Sequence, residues 1–177
     1  SQGGEDFLAK LCKEWESSAS QKPRFTRLLI FRIGIVLGSR GGALKKMLPI
    51  FKAGLGGPIG NGKQWMSWIH ITDLCQMIEQ SLTNKSWSGV INAVAPEPTS
   101  MANFAFNLGR CLGRPSLLPV PEVILKLLLG DGARVVLEGQ QVKSIRLQKL
   151  GYRFNYSNLN ETLTSITNQN NSDRLQS

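Results

Sequence analysis

The sequence predicts an α/β fold on a largely parallel sheet, and three observations carry that prediction. Apolar β-branched runs alternate with segments whose apolar residues recur at helical spacing. One run, RLLIFRIGIVLG (27–38), is almost continuously apolar, the pattern of a parallel strand covered on both faces. Only about three clear strands are legible in 177 residues, fewer than the ~5–6 of an ordinary sheet. The pattern therefore reads as the second part of a larger doubly wound domain.

Each element follows from local chemistry. Residues 4–20 place Phe7, Leu8, Leu11, Cys12, Trp15 and Ala19 on one helical face, with Asp6, Lys10 and Glu14 four apart on another. Lys22-Pro23 ends that helix. After the apolar strand, SRGG turns the chain into a helix over 43–54, which Pro49 is expected to interrupt. KQWMSWIHI (63–71) is strand-like, and Thr72 or Asp73 is placed to cap the helix that follows. GVINAVA (89–95) is a short strand. Ser100 caps a helix over 101–113 that Gly113 closes, with Pro115 beyond. Residues 121–130 form a helix with Pro121 at its first position. The stretch from Arg134 is apolar and then amphipathic up to Gly151, and 152–166 gives an extended piece and a last helix. The polar residues 167–177 read as a disordered tail.

Composition sets the outer bounds. Hydrophobic residues make up 41% and charged residues 19%, the balance of a globular domain, and no apolar run is long enough to span a bilayer. SQGGEDFLAK lacks a signal pattern, and the non-Met start fits a processed chain or a piece of a longer one. The net charge of +9 is spread over the chain, so it reads as a solvated basic surface that permits an anionic partner without selecting nucleic acid. Three cysteines far apart, each in an apolar helical pattern, read as buried free thiols rather than disulfides. A single histidine, His70, leaves no basis for a histidine-rich metal centre.

GLGGPIGNGKQW (54–65) sets Gly54, Gly57 and Gly60 at dinucleotide-loop spacing, with Asp73 where a ribose-binding acid could sit. A pyrophosphate cradle needs a strand before the glycines and a helix opening on them. Here a helical segment precedes them, and Pro58, an Asn-Gly turn and strand-like residues follow. The stretch is read as a glycine turn where backbones approach closely.

FRIGIVLGSRGGAL, GLGGPIGNGKQWMSWIHITDL, GVINAVAPEPTSMANFA, LGRPSLLPVP and LLLGDGARVVLEGQQV, in that order, resemble the C-terminal part of an atypical, extended short-chain dehydrogenase/reductase. The family is the NAD(P)-dependent epimerase/dehydratase-like group of bacteria and organelles, some of whose members are described as cell-division-inhibitor-like. The likeness runs to residue 166, with about 114–166 as a family-specific C-terminal segment. It implies the second half of a Rossmann-like doubly wound sheet plus a small substrate-binding portion. The cofactor half of that fold, with its glycine loop, lies outside this chain. NADP or NAD is then expected in the intact protein, and none on this chain alone.

The resemblance also implies site residues. The family's Tyr-x-x-x-Lys pair falls on Asp6 and Lys10, with Glu14 beyond. Lys10 would contact the ribose and assist catalysis, but a carboxylate at position 6 is already ionised at neutral pH and donates protons poorly. Arg32, Gly34 and Ile35 fall on the strand beside the nicotinamide, where Ile35 replaces a customary Asn. His70 becomes a candidate proton carrier. Gly38, Gly41, Gly42, Gln64 and Trp65 become substrate-pocket residues. Two readings follow: the substrate-side part of an NAD(P)-dependent epimerase or oxidoreductase, or a non-catalytic relative serving as a subunit of a larger assembly. Organellar relatives suggest a mitochondrion or plastid, with the cytoplasm otherwise.

Overall fold

The computed structural model describes residues 7–120 and 139–175. The helix expected at 121–130, the apolar stretch from Arg134 and the position of Asp6 lie outside them. The chain opens with α1 (Phe7–Ser20), then β1 (Leu29–Ile33), β2 (Ile35–Leu37) and α2 (Gly42–Lys52). β3 (Trp65–Met66), β4 (Trp68–His70), α3 (Ile71–Thr83) and β5 (Gly89–Ala93) follow. β6 (Thr99–Ser100) leads into α4 (Met101–Leu112), and α5 (Ile145–Lys149) and α6 (Leu159–Leu175) complete the described residues.

The long apolar run is not one strand with one neighbour. β1 pairs in parallel with β5, from Leu29 opposite Gly89 to Ile33 opposite Ala93. β2 pairs in parallel with β4, Ile35 opposite Trp68 and Leu37 opposite His70. Gly34 marks the change of partner. Its N–H still reaches Ala93 O (3.2 Å), the next N–H, of Ile35, reaches Ser67 O (2.8 Å), and Ala95 donates to Trp68 O (2.6 Å). β4 thus binds both chains where they part. A side chain on Gly34 would run into Ser67 O and the Val94 side chain, so the junction needs glycine. β3 and β6 form a separate antiparallel pair.

Alternation along β4 separates two cores, as a period of two requires. Trp68 packs with Leu37, with Leu44, Met47, Leu48 and Phe51 of α2, with Phe104 and Leu108 of α4, and with Leu163 and Ile166 of α6. Ile69 packs instead with Leu74 and Met77 of α3, Ile91, Trp87, Leu147 and Tyr152.

Several expectations are corrected. α2 runs straight through Pro49. An interior proline costs about 3 kcal/mol, whereas burying each of Leu44, Met47, Leu48 and Phe51 contributes about 1.5–3 kcal/mol, so packing wins. The cysteines are free but not buried: Cys12 and Cys75 are exposed, and Cys111 is half-buried at the margin of the core. The apolar face of α1 is largely uncovered, with Trp15 65% exposed. β1 is only half-buried, and Ile33 is 52% exposed, because one of its edges has no strand beside it among the described residues. α6 continues to Leu175, through residues 167–175 that composition assigned to a disordered tail. A helix already nucleated and packed through Leu163 and Ile166 adds one hydrogen bond per further residue.

The helix over 101–112 matches expectation closely. Ser100 Oγ accepts from Asn103 N–H (3.2 Å), and Gly113 ends it in the left-handed conformation at φ 62°.

Candidate functional site

Two open clefts adjoin the strands. The first, about 670 Å³, lies between α1 and β1 and takes its lining from Cys12 and Glu16, from residues 28–34, and from Asn92 and Gln140. The second, about 750 Å³, lies beyond the C-terminal ends of β2 and β4, where α2 and α3 begin. Val36, Gly38, Arg40, Gly41, Gly42 and Ile71 line it, and Gln169 of α6 closes one side. Crevices at the carboxyl ends of parallel strands are the usual ligand position in such sheets.

Arg32 and Gly34 fall together in the first cleft. The Arg32 guanidinium makes a two-point bond to Glu16, with Nε to Oε1 and Nη2 to Oε2 both at 2.7 Å. The pair ties helix to strand. Through that hydrogen bond Arg32 holds the Glu16 carboxyl below its ordinary pKa, and Glu16 in turn raises that of Arg32. Lys10 does not join them. The groove side of α1 carries Ala9, Cys12, Lys13 and Glu16, at helical spacing, and Lys10 is exposed, turned off that stripe. Ile35 is partly buried against the core formed with α2 and α4.

Gly38, Gly41 and Gly42 are brought together in the second cleft. Gly41 is the N-cap of α2 and offers no side chain to its first turn. Gln64 and Trp65 line neither cleft. The Gln64 side-chain amide nitrogen donates to Ile59 O (2.9 Å) and the Gln64 backbone carbonyl accepts from Met101 N–H (2.9 Å), while Trp65 pairs with Ser100. Residues 63–66 turn away into the β3–β6 pair, which removes them from the glycine cleft.

His70 is 2% exposed and lines neither cleft. It, not Thr72 or Asp73, is the N-cap of α3: Nδ1 accepts from Thr72 N–H at 3.1 Å. An acceptor Nδ1 places the proton of a neutral ring on Nε2, and Nε2 is buried with no hydrogen-bond partner among the described residues. The ring stacks on Tyr156 with centroids 3.7 Å apart. Burial pushes its pKa down, against the pull of Asp73.

Asp73 is fully buried, and its carboxylate serves a segment some eighty residues away. Oδ1 accepts from Asn155 N–H (2.9 Å), the Asn155 amide (3.2 Å) and Tyr152 O–H (3.1 Å), and Oδ2 from Tyr156 N–H (3.0 Å). Burial first, then the Asp73 charge, raises the Tyr152 pKa and keeps that phenol protonated. The carboxylate also sits in the first turn of α3, where the helix dipole favours it. Nothing in the local sequence around Asp73 announces this role. Likewise, the Glu16–Arg32 bond spans sixteen positions across a turn and has no pattern of its own.

The glycine turn at 54–62 follows α2 and leads into β3, not into a helix. Gly57 packs against the Leu118 carbonyl and Gly56 against the Phe51 ring, each where a side chain could not fit. Gly54, Gly60 and Gly62 take left-handed φ values of 76°, 57° and 68°. Among the described residues no group of His, Cys, Asp and Glu could hold a metal ion, and no helix is long and apolar enough to cross a membrane.

Comparison with known proteins bears on the family. Residues 120–166 match a family model described as a domain of unknown function, DUF1731. The chain is 48% identical over 166 residues to the Arabidopsis thaliana protein named "Epimerase family protein SDR39U1 homolog, chloroplastic", covering 94% of this chain and 48% of that one. It is 41% identical over 165 residues to the Mus musculus epimerase family protein SDR39U1, covering 93% and 56%. The crystal structure of human SDR39U1 (isoform 2) with NADPH superposes with a TM-score of 0.84 at 39% identity, covering 91% of this chain and 55% of that one. The chain thus spans about half the length of the curated relatives it matches. It belongs to the epimerase family of short-chain dehydrogenase/reductase-like proteins and corresponds to the C-terminal part of their fold.

Proposed function

We propose that this chain is the substrate-side part of an NAD(P)-dependent epimerase or oxidoreductase, with the α1–β1 groove facing the dinucleotide and the 38–42 cleft receiving the substrate. The observation that carries this reading is the joint placement of Arg32 and Gly34 along one open groove, in a chain 39% identical to a protein solved with NADPH. The residues described here form a wall and not a grip. Gly56 and Gly57 are packed against the Phe51 ring and the Leu118 carbonyl, and the turn leads into β3 rather than a helix, which supports a pyrophosphate held by the other half of the fold. When bound, the nicotinamide would supply the redox chemistry, and this chain's residues would bound the cleft and exclude water from it.

A second reading, a non-catalytic subunit of a larger assembly, draws support from the proton-handling candidates. Lys10 is turned away from the groove, and His70 is buried and committed to capping α3. Asp6 stands where the family's tyrosine would be. A plastid setting is proposed from the chloroplastic relative, with a mitochondrion the alternative.

The discriminating experiment titrates NADPH and NADH separately into the protein extended to the length of its relatives and follows the melting temperature. A ligand bound only by the folded state raises it by mass action, by several degrees at a hundredfold excess over Kd. An unchanged melting temperature at saturating nucleotide overturns the redox reading and leaves the assembly reading.

A further inference from the structure

The second cleft lies where two paired strands stop. β2 ends at Leu37 and β4 at His70, opposite each other, and the next residues along, Gly38 and Ile71, line the cleft. Its floor is glycine backbone. A side chain on Gly41 would meet nothing within 4 Å, and one on Gly38 would touch Ile71 at 3.2 Å. Val36 and Ile71, the latter 42% exposed, make an apolar wall. Among the described residues no aromatic ring and no carboxylate lines it. It therefore offers no face on which a nucleobase stacks, and none of the carboxylate acceptors that gather the hydroxyls of a sugar.

The opposite wall comes from a distant part of the chain. α6 packs against the core around Trp68 through Leu163 and Ile166, and Thr162 and Thr167 beside them are buried as well. Seven residues make nearly two helical turns, so Gln169 stands above Thr162 on the same line. At that height the strands have ended, and Gln169 is exposed and borders the cleft instead of the core. No hydrogen bond engages its amide among the described residues, which leaves both the N–H donors and the carbonyl acceptor available. Ser39 and Arg40, the other polar side chains of the lining, belong to the turn before α2. Gln169 also falls outside the matched family segment, 120–166.

We propose that Gln169 is a specificity-determining residue of the 38–42 cleft, and that the cleft takes a compact, mainly aliphatic molecule whose hydroxyl or carbonyl group meets that amide. This deepens the reading of the cleft as the substrate's and rests on it only for calling the ligand a substrate. The apolar body of such a molecule covers Val36 and Ile71, and its oxygen replaces the water that the amide otherwise holds. A ligand without the oxygen strips that water and returns nothing, which is how a polar group in an apolar site discriminates.

The test uses isotope-labelled protein extended to the length of its relatives, with cyclohexanone as the oxygenated probe and cyclohexane as its counterpart. Amide chemical shifts locate each probe, and titration gives its affinity. Cyclohexanone should move the backbone amides of 38–42 and the side-chain amide of Gln169. Gln169→Leu should weaken cyclohexanone about three- to tenfold, the worth of one neutral hydrogen bond, and leave cyclohexane unchanged or tighter. Its melting temperature should match the parent's, since the side chain it replaces is exposed. Leu82→Ala, exposed on α3 and outside the lining, should alter neither probe. Several outcomes overturn the proposal: neither probe binding at 38–42, Gln169→Leu leaving cyclohexanone's affinity intact or weakening both probes alike, or UDP-glucose moving the same amides at lower concentration than cyclohexanone. NADPH is titrated separately. A protein that ignores NADPH yet keeps the Gln169-dependent preference retains this cleft chemistry and loses the redox reading.

Discussion

The carboxylate of Asp73 accepts the backbone N–H of Tyr156 at 3.0 Å, and the ring of Tyr156 lies on His70, three residues before that aspartate. One buried acid therefore fastens residues 152–156 to the start of α3 and holds the aromatic lid over the helix cap. Asp73→Asn would leave the size of the group unchanged but turn an amide donor toward N–H groups that need an acceptor. Breaking a buried charged network of this kind costs about 3–5 kcal/mol. Urea denaturation should show a loss of that order with an unchanged m-value. Tyr152→Phe, which removes one O–H of the same set, should cost about 1 kcal/mol. Equal, small losses for both would mean that the carboxylate is not the organising acceptor.

His70 carries a pH signature. Burial lowers its pKa in the folded protein, whereas the unfolded chain titrates near ~6.5. The folded state thus binds fewer protons, so stability is at its full value above that range and falls as pH drops through it. His70→Asn keeps a side-chain oxygen to cap α3 but removes the titrating ring. The variant should be less stable at neutral pH, for want of the stack on Tyr156, and its stability should slope less between pH 7 and 5 than that of the parent. Parallel slopes in denaturant titrations at the two pH values would remove His70 as the source.

Much of the scaffold was legible because it is written locally. The Ser100 cap, the Gly113 stop and the parallel class of the sheet follow from residues within a few positions of one another. The split of the apolar run at Gly34 was not legible, since it depends on Ser67 and Ala95 arriving between two strands. Burial of the cysteines and of α1 was overestimated for a related reason: an apolar face shows that a helix wants cover, not that cover is present. Of the site residues, Gly38, Gly41 and Gly42 do converge. Gln64 and Trp65 do not, because the turn at Gly60 and Gly62 sends them elsewhere. The Asp73 clasp joins positions about eighty residues apart, a separation at which one sequence carries no signal.

The Glu16–Arg32 pair is partly exposed, so its worth is modest despite two short bonds. Glu16→Gln should cost no more than about 1 kcal/mol, and the loss should shrink in high salt. The lowered Glu16 pKa fixes the direction with pH: the contribution is present above the ordinary carboxylate range and disappears as pH falls through the folded-state value. Amide exchange along α1 is the sensitive measure, since the pair is its tie to β1. A variant whose α1 amides exchange no faster than those of the parent would show that apolar contact alone seats the helix.

Gly34 separates a structural from a ligand-binding reading of the same residue. A methyl group there meets the Ser67 carbonyl and the Val94 side chain, and the carbonyl is held by Ile35 N–H, so it cannot retreat without breaking β4 from β2. Gly34→Ala should therefore destabilise the chain by about 1–3 kcal/mol, the range of an overpacked core, with no nucleotide present. Gly41→Ala, whose added methyl meets nothing within 4 Å, is the sterically open control; because Gly41 is the N-cap of α2, it should cost about 0.5–1 kcal/mol, the loss of a favoured cap residue. If Gly34→Ala proves silent in stability yet abolishes NADPH binding by the extended protein, the glycine serves the ligand. If it melts early, its place in the groove reflects the forking of the sheet.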